Sequence, residues 1–423
     1  MTDGNLLEEL RRFRSRLPPR ARVYVAGCAG EPLALAEAFR HEPALAEGLT
    51  FFGIWIPGVN VTDWASLAPG ARAESIFVTP ATRESFANRK TAFRPLSYTQ
   101  ACQWLARTPC DGAFVMTSEE LSGDPGTVSL GVACDFSQII LEREDVPVMG
   151  IINRQMPAPG RSPSVSKARF SHEVQSDYPL INVPPTDLPE KFEAIGKHVA
   201  MLIESRDTLQ LGLGSVQQAV LEALTDHRDL KIHSGMVSDP ILNLMDTGAI
   251  SSEDGSITTG VAIGSSQLYE AAGREPQFRF EPVTNTHALA TLSAIPRFKA
   301  VNSAIEVDLF GQVNAEFLSG RQVSGTGGLV DFLRGAATSP GGRGIIALAS
   351  SARNGTISRI VPHLARSAVS VARGDVETVV TEHGVADLRH ATDIERAERL
   401  IAIAAPEHRP SLEQAWAEIE RIL

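Results

Sequence analysis

The stretch "TLQLGLGSVQQAVLEAL", residues 208–224, reads as a strand, a glycine turn and a helix. Its opening residues suit a buried strand, Gly212-Leu213-Gly214-Ser215 supply the turn, and the apolar residues beyond recur at helical spacing. The same design stands much earlier, in "RVYVAGCAGEPLALAEAF" at 22–39. Two such units, one opening each half, predict an internal duplication. Elsewhere "GAFVM", "VPVMGIIN", "KAVNSAIEVDLF", "GIIALAS" and "VETVVTE" read as strands between helical patterns. That alternation predicts an α/β protein built on two similar, mainly parallel sheets. The Pro-rich piece at 184–189 breaks the chain, which places the boundary at residue 187 and the domains at 1–187 and 188–423. The last stretch, "DIERAERLIAIAAPEHRPSLEQAWAEIERIL", reads as two amphipathic helices separated near Pro406 and Pro410.

The bulk numbers narrow the class. The chain has 423 residues, 43% hydrophobic and 21% charged, enough for two or three domains with their own cores. A net charge of −11 argues against a nucleic-acid surface, which wants clustered Lys and Arg. No apolar run approaches the roughly 18 residues of a membrane helix. The N-terminal "MTDGNLLEELRRFRSRL" is a charged amphipathic helix without the apolar core of a signal peptide. Cys28, Cys102, Cys110 and Cys134 form no CxxC pair, so reduced thiols in a cytoplasmic protein are expected. The ten histidines show no ligand spacing, and no metal is expected.

Several stretches could carry chemistry. The "GLGS" turn, between strand and helix, can turn backbone N–H groups toward a phosphate or carboxylate, or can be a tight turn and nothing more. "RQVSGTGGLVDFLRGA", 321–336, packs Ser324, Gly325, Thr326, Gly327 and Gly328 into a loop before a helix. Such a loop suits a thioester oxygen or a developing oxyanion, or a crossover that needs glycine for steric reasons. In "NSAIEVDLFGQVNAE", 302–316, Glu306 and Asp308 share a strand face, fit either for acid/base work or for structural hydrogen bonds. "TEHGVADLRH", 381–390, offers Glu382, His383, Asp387 and Arg389 as a local salt-bridge network. His233, Ser234 and Asp239 lack a GxSxG elbow, which disfavours a serine hydrolase.

Taken in order, "LQLGLGSVQQAV", "KIHSGMVSD", "EVDLFGQVNAE", "GRQVSGTGGLVDFLRGA" and "VVTEHGVADLR" resemble the acetyl-CoA hydrolase/transferase group. That group includes the 4-hydroxybutyrate, butyryl and succinyl-CoA:acetate CoA-transferases. The resemblance covers residues 208–410 well and the N-terminal half more thinly, through "VSLGVACDF" and "NRQMPAPGRSPSVSKARFSHEVQSDYPL". It implies two CoA-transferase-like α/β domains, acyl-CoA in the cleft between them, a small carboxylate as second substrate and a homodimer. It also implies that Gly212, Leu213, Gly214, Ser215 and Val216 lie against coenzyme A, with Ser324, Gly325 and Gly327 beside it. Gly328 would give its amide to the acyl oxygen, and Asn285 in "EPVTNTH" would contact the reacting carboxylates.

The family mechanism is ping-pong: a glutamate attacks the acyl-CoA, an anhydride forms, and the thiolate returns to give a glutamyl-CoA thioester. That glutamate stands in a His-Thr/Ser-Glu-Met sequence, which here reads His233-Ser234-Gly235-Met236. Three readings follow. The vacated space could admit water or a substrate carboxylate, giving hydrolysis or direct transfer, with Glu306 as base and His233 or Glu382 in reserve. Glu306 could itself be the nucleophile. Or the chain could bind CoA without catalysis.

Overall fold

The computed structural model describes residues 4–184 and 188–422, so the expected boundary at residue 187 lies outside the described residues. The chain divides into two compact units: Met1–Pro184 with Ile257–Thr286, and Pro185–Ser256 with His287–Leu423.

The main sheet of the first unit has seven strands, all paired in parallel. Arg22–Val25 stands inside the sheet, with Thr50–Phe52, Arg72–Ser75 and Thr91–Phe93 stepping away on one side. Gly112–Thr117, Val148–Asn153 and His172–Ser176 step away on the other. Gly112–Thr117 and Val148–Asn153 are buried at every position, as parallel strands covered on both faces must be. The helix Gly4–Arg16 buries Leu6, Leu10 and Phe13, which recur at three to four residues and so share one face. Phe13 meets Phe114 edge-on at 5.2 Å between centroids, and a β-carbon on Gly112 would press on the Phe13 ring at 3.0 Å. The segment 257–286 joins this unit through backbone hydrogen bonds. Cys134 N–H donates to Gly260 O at 3.2 Å and Ala262 N–H to Val132 O at 2.9 Å.

The second unit repeats the plan. Thr208–Leu211 lies between Lys231–Val237 and Phe298–Ser303, and Arg343–Ala347, Thr378–Thr381 and Gly384–Asp387 follow in order. Only the last pair is antiparallel, a hairpin closing the edge. In both units the first strand is therefore the place where strand order reverses. Open α/β sheets bind ligands beyond the carboxyl ends of the strands at such a point. Its core gathers Leu333, Ile346, Val379, Leu400 and Trp416. The two terminal helices are Asp393–Ala402, opened by a Thr392–Glu395 capping box, and Arg409–Glu420.

One expected strand divides. "KAVNSAIEVDLF" is not continuous: Phe298–Ser303 stays in the main sheet, while Glu306–Asp308 joins a separate three-stranded sheet with Val313–Asn314 and Ile360–Val361. The chain leaves the first sheet because Ile305 N–H turns to Asn314 O at 2.8 Å and Val307 N–H to Arg359 O at 2.9 Å. No helix among the described residues is long and apolar enough to cross a membrane.

Candidate active site

The turn after Thr208–Leu211 is open. Gly212, Leu213 and Ser215 are half-buried and Gly214 is exposed, whereas Val216 turns into the core. Gly214 has φ +111°, a conformation that only glycine adopts without strain, and it caps the helix Ser215–Glu222. The nearest neighbour of a β-carbon on Gly212 would be Gln217 Nε2, 3.9 Å away. Gln217 is itself tied down, donating to Ser303 Oγ at 2.8 Å. The backbone here is left uncovered by its neighbours.

The counterpart turn of the first unit is shut. A β-carbon on Gly27 would fall 1.8 Å from Ile54 O, and the Cys28, Ala29 and Gly30 that follow are buried. Asn60 stitches this turn from inside. Its Oδ1 accepts from Cys28 N–H at 3.2 Å and Ile56 N–H at 2.7 Å, and its Nδ2 donates to Glu31 Oε2 at 3.0 Å. Cys28 takes a left-handed φ of +53°, and its thiol donates to Asp135 Oδ2 at 3.3 Å. Burial pushes the Asp135 carboxyl up to about 6.

The glycine loop Ser324–Gly328 leads into the helix Leu329–Thr338, with Gly328 as its N-cap and Gly327 at φ +54°. Gly325 and Gly327 are buried, Gly328 half-buried. Ser324 Oγ donates to Gly325 O at 3.3 Å, and Gln322 Nε2 donates to Ser324 O at 2.6 Å, which stiffens the loop.

Gly235 lies in Lys231–Val237, outside the left-handed region, so its backbone does not demand glycine. Its surroundings do. A β-carbon on Gly235 would stand 2.8 Å from His287 Cε1 and 3.0 Å from Nε2, with Phe332 next at 3.8 Å. A β-carbon on Gly328 would stand 2.4 Å from the same Nε2. The His287 ring is thus wedged between the two glycines, stacked obliquely on Phe332 at 4.3 Å between centroids. It is 2% exposed. Burial, reinforced by the neighbouring His233, pushes His287 down to about 3, so the imidazole is neutral at neutral pH.

This corrects the expectation of an empty space opposite Gly235. The space that a side chain at 235 would enter is occupied by an imidazole from another part of the unit. Sequence reasoning missed His287, although it ends the "EPVTNTH" motif two residues after Asn285. A lone histidine at a helix end carries no local sign that two distant glycines make room for it.

The other candidates are arranged differently. Glu306 sits in the small separate sheet, half-buried, its Oε2 accepting from Asn314 Nδ2 at 3.1 Å. None of the three atoms nearest a β-carbon on Gly235 belongs to it. Asp308 is consumed by a turn, accepting from Phe310 N–H, Gln312 N–H and Gln312 Nε2. Glu382 accepts from both the N–H and the hydroxyl of Ser350, at 2.8 and 2.9 Å. Asp387 pairs with Arg343 and Arg389, each at 2.6 Å. Ser234 is fully buried and donates to Leu211 O at 2.7 Å. Asn285 is half-buried in the short helix Val283–Thr286. Among the described residues no group of three or more His, Cys, Asp or Glu could hold a metal ion.

Residues 264–416 match the acetyl-CoA hydrolase/transferase C-terminal domain. The chain is 32% identical to the 4-hydroxybutyrate coenzyme A transferase of Clostridium kluyveri over 406 residues, covering 94% of each. It is 35% identical over 365 residues to the succinyl-CoA:cyclohexane-1-carboxylate CoA transferase of Geobacter metallireducens, 84% of this chain and 82% of that one. The crystal structure of RipA from Yersinia pestis superposes with a TM-score of 0.88 at 27% identity, over 98% of each chain. The protein belongs to the acetyl-CoA hydrolase/transferase family.

Proposed function

We propose that this chain transfers coenzyme A between an acyl-CoA and a small carboxylate, and that it does so without a glutamate at the reacting position. Residues 188–423 carry the CoA-binding and catalytic motifs. In this reading the Gly212–Val216 turn lies against the CoA, with Ser324, Gly325 and Gly327 beside it. The N–H of Gly328 holds the acyl oxygen, where negative charge develops and the Leu329–Thr338 helix terminus favours it. Asn285 contacts the carboxylates. The supporting observation is the uncovered backbone of Gly212–Ser215 at the strand-order reversal, with glycines where side chains would block a ligand. We place the protein in a reducing cytoplasm, and the active form is a homodimer, which light scattering would test.

The experiment is a panel of short acyl-CoAs with acetate, 4-hydroxybutyrate or cyclohexane-1-carboxylate as acceptor, read by chromatography of the thioesters. A new thioester that appears only with acceptor supports transfer. The family also includes hydrolases, which leaves a second reading with water as the acceptor. Free thiol released without acceptor would then mark a hydrolase. Saturable CoA binding with no turnover would leave a non-catalytic binder and contradict the proposal.

A further inference from the structure

The glycine turn of the second unit has a floor, and one side chain makes it. Gln217 Nε2 stands 3.9 Å from a β-carbon placed on Gly212, and Gln217 Oε1 stands 3.5 Å from one placed on Gly214. Apart from the chain neighbours of each glycine, no other atom lies within 4 Å of either position. Gln217 as a whole is 3% exposed, yet its carboxamide borders the space that the two glycines leave open.

The two ends of that carboxamide differ. Nε2 donates to Ser303 Oγ at 2.8 Å, which pins the amide to the end of the strand Phe298–Ser303. Oε1 lies toward Gly214 and accepts no hydrogen bond from the described residues. Buried polar groups in folded proteins are kept paired, so an unpaired acceptor beside an exposed glycine calls for a donor from outside the chain.

We infer that Gln217 Oε1 accepts a hydrogen bond from an amide N–H in the pantetheine arm of coenzyme A, so that this turn holds the arm rather than the diphosphate. The inference rests on the CoA-transfer reading and names the part of the ligand that meets the turn. The first N–H groups of the helix Ser215–Glu222 lack acceptors within the helix, and Oε1 lacks a donor. A secondary amide carries a carbonyl and an N–H, and so answers both. A diphosphate at neutral pH carries acceptors alone and would set its negative charge against the Gln217 oxygen. Residues 208–224 hold no Lys or Arg to offset that repulsion. The adenine amino group is a donor, but a carboxamide reads adenine with both of its ends, and Nε2 is committed to Ser303.

Position agrees with chemistry. Gly212 lines a small, mainly apolar hollow together with Ser234 and Met236, the two neighbours of Gly235. Gly235 and Gly328 flank one imidazole, and the reading gives the acyl oxygen to Gly328. The turn thus adjoins the strand near the acyl end of the ligand, and the pantetheine arm is the part of CoA bonded to the thioester sulfur.

The test uses CoA analogues in which one pantetheine amide at a time is an ester, which removes the N–H and keeps the carbonyl. Titration calorimetry with the full chain should show one of these esters binding about tenfold more weakly than CoA, because it leaves Oε1 buried and unpaired. Gln217→Leu, of similar bulk and without the acceptor, should weaken CoA by about tenfold and bring CoA and that ester within about twofold of each other. Adenosine 3′,5′-bisphosphate should bind the unaltered chain and the variant alike. A merely structural Gln217 would weaken CoA and both esters together, keeping their ratio. The ester comparison uses the unaltered chain, so a variant that fails to fold does not block the test. Equal binding of CoA and both esters, a preference that persists in Gln217→Leu, or a bisphosphate weakened as much as CoA would each overturn the inference and leave the CoA-transfer reading standing. Absence of saturable CoA binding by the unaltered chain would remove both.

Discussion

Two turns of one design follow the central strands of the two units, and they differ in what fills them. The turn at Gly27–Gly30 is packed by its own unit, with Ile54 O against Gly27 and Asn60, Glu31 and Asp135 knitting the interior. The turn at Gly212–Ser215 has no atom within 3.8 Å of a β-carbon placed on Gly212. In the first, glycine makes room for the protein's own backbone. In the second, it leaves room for something else. Shared architecture therefore says where a ligand site can arise, and packing at the turn says which copy has room for one.

The largest contrast should come from adding one carbon to each turn. Gly27→Ala drives a methyl into a backbone oxygen that cannot swing aside, so a loss of about 4 kcal/mol or more, at the extreme of single substitutions, is expected. Gly212→Ala should leave the melting temperature unchanged yet weaken CoA binding. Thermal denaturation with and without CoA checks both, and equal destabilisation would erase the distinction.

Next in size is Gly235→Glu. Its β-carbon meets the buried His287 ring at 2.8 Å, so overpacking of about 1–3 kcal/mol is expected, with no glutamyl-CoA thioester. Combining it with His287→Ala removes the obstacle and should allow that thioester, detectable by intact mass after borohydride. A thioester in the single variant would mean that the ring yields more easily than its packing implies.

Acid should act on the two units in opposite directions. His287 titrates at about 3 against an ordinary 6.5, so the unfolded chain takes up its proton first. Its stability is fully present above 6.5 and is lost toward about 3, at up to about 1.4 kcal/mol per pH unit. Asp135 is raised to about 6 from 3.8, so its contribution is present below 3.8 and lost as pH rises through about 6. Hydrogen exchange at pH 7 and 5 should show faster exchange around His287 and slower exchange around Asp135. His287→Gln and Asp135→Asn should each flatten the change near its own site. The smallest effect is expected for Glu306→Gln. Its carboxylate accepts from Asn314, so a change of about 1 kcal/mol or less and near-normal turnover should follow.

Much of this architecture can be read from the chain. Strand–glycine–helix units at 22–39 and 208–224 announce their own fold, because turn chemistry and helical spacing are local. The glycine loops are legible for the same reason. The strand division after Ser303 was not, since it depends on Asn314 and Arg359 drawing the backbone away. Nor was His287: the need for it is written at 235 and 328, far along the chain from 287, and only folding brings the three together. Glu306 is legible as a strand carboxylate, but its partner Asn314 is not, because the pairing forms only in the separate small sheet.

The most direct test is a crystal structure with a non-cleavable acyl-CoA analogue. The account predicts CoA along the Gly212–Val216 turn, with the acyl oxygen on Gly328 N–H. CoA bound away from that turn, or an acyl group seated away from Gly328, would contradict it.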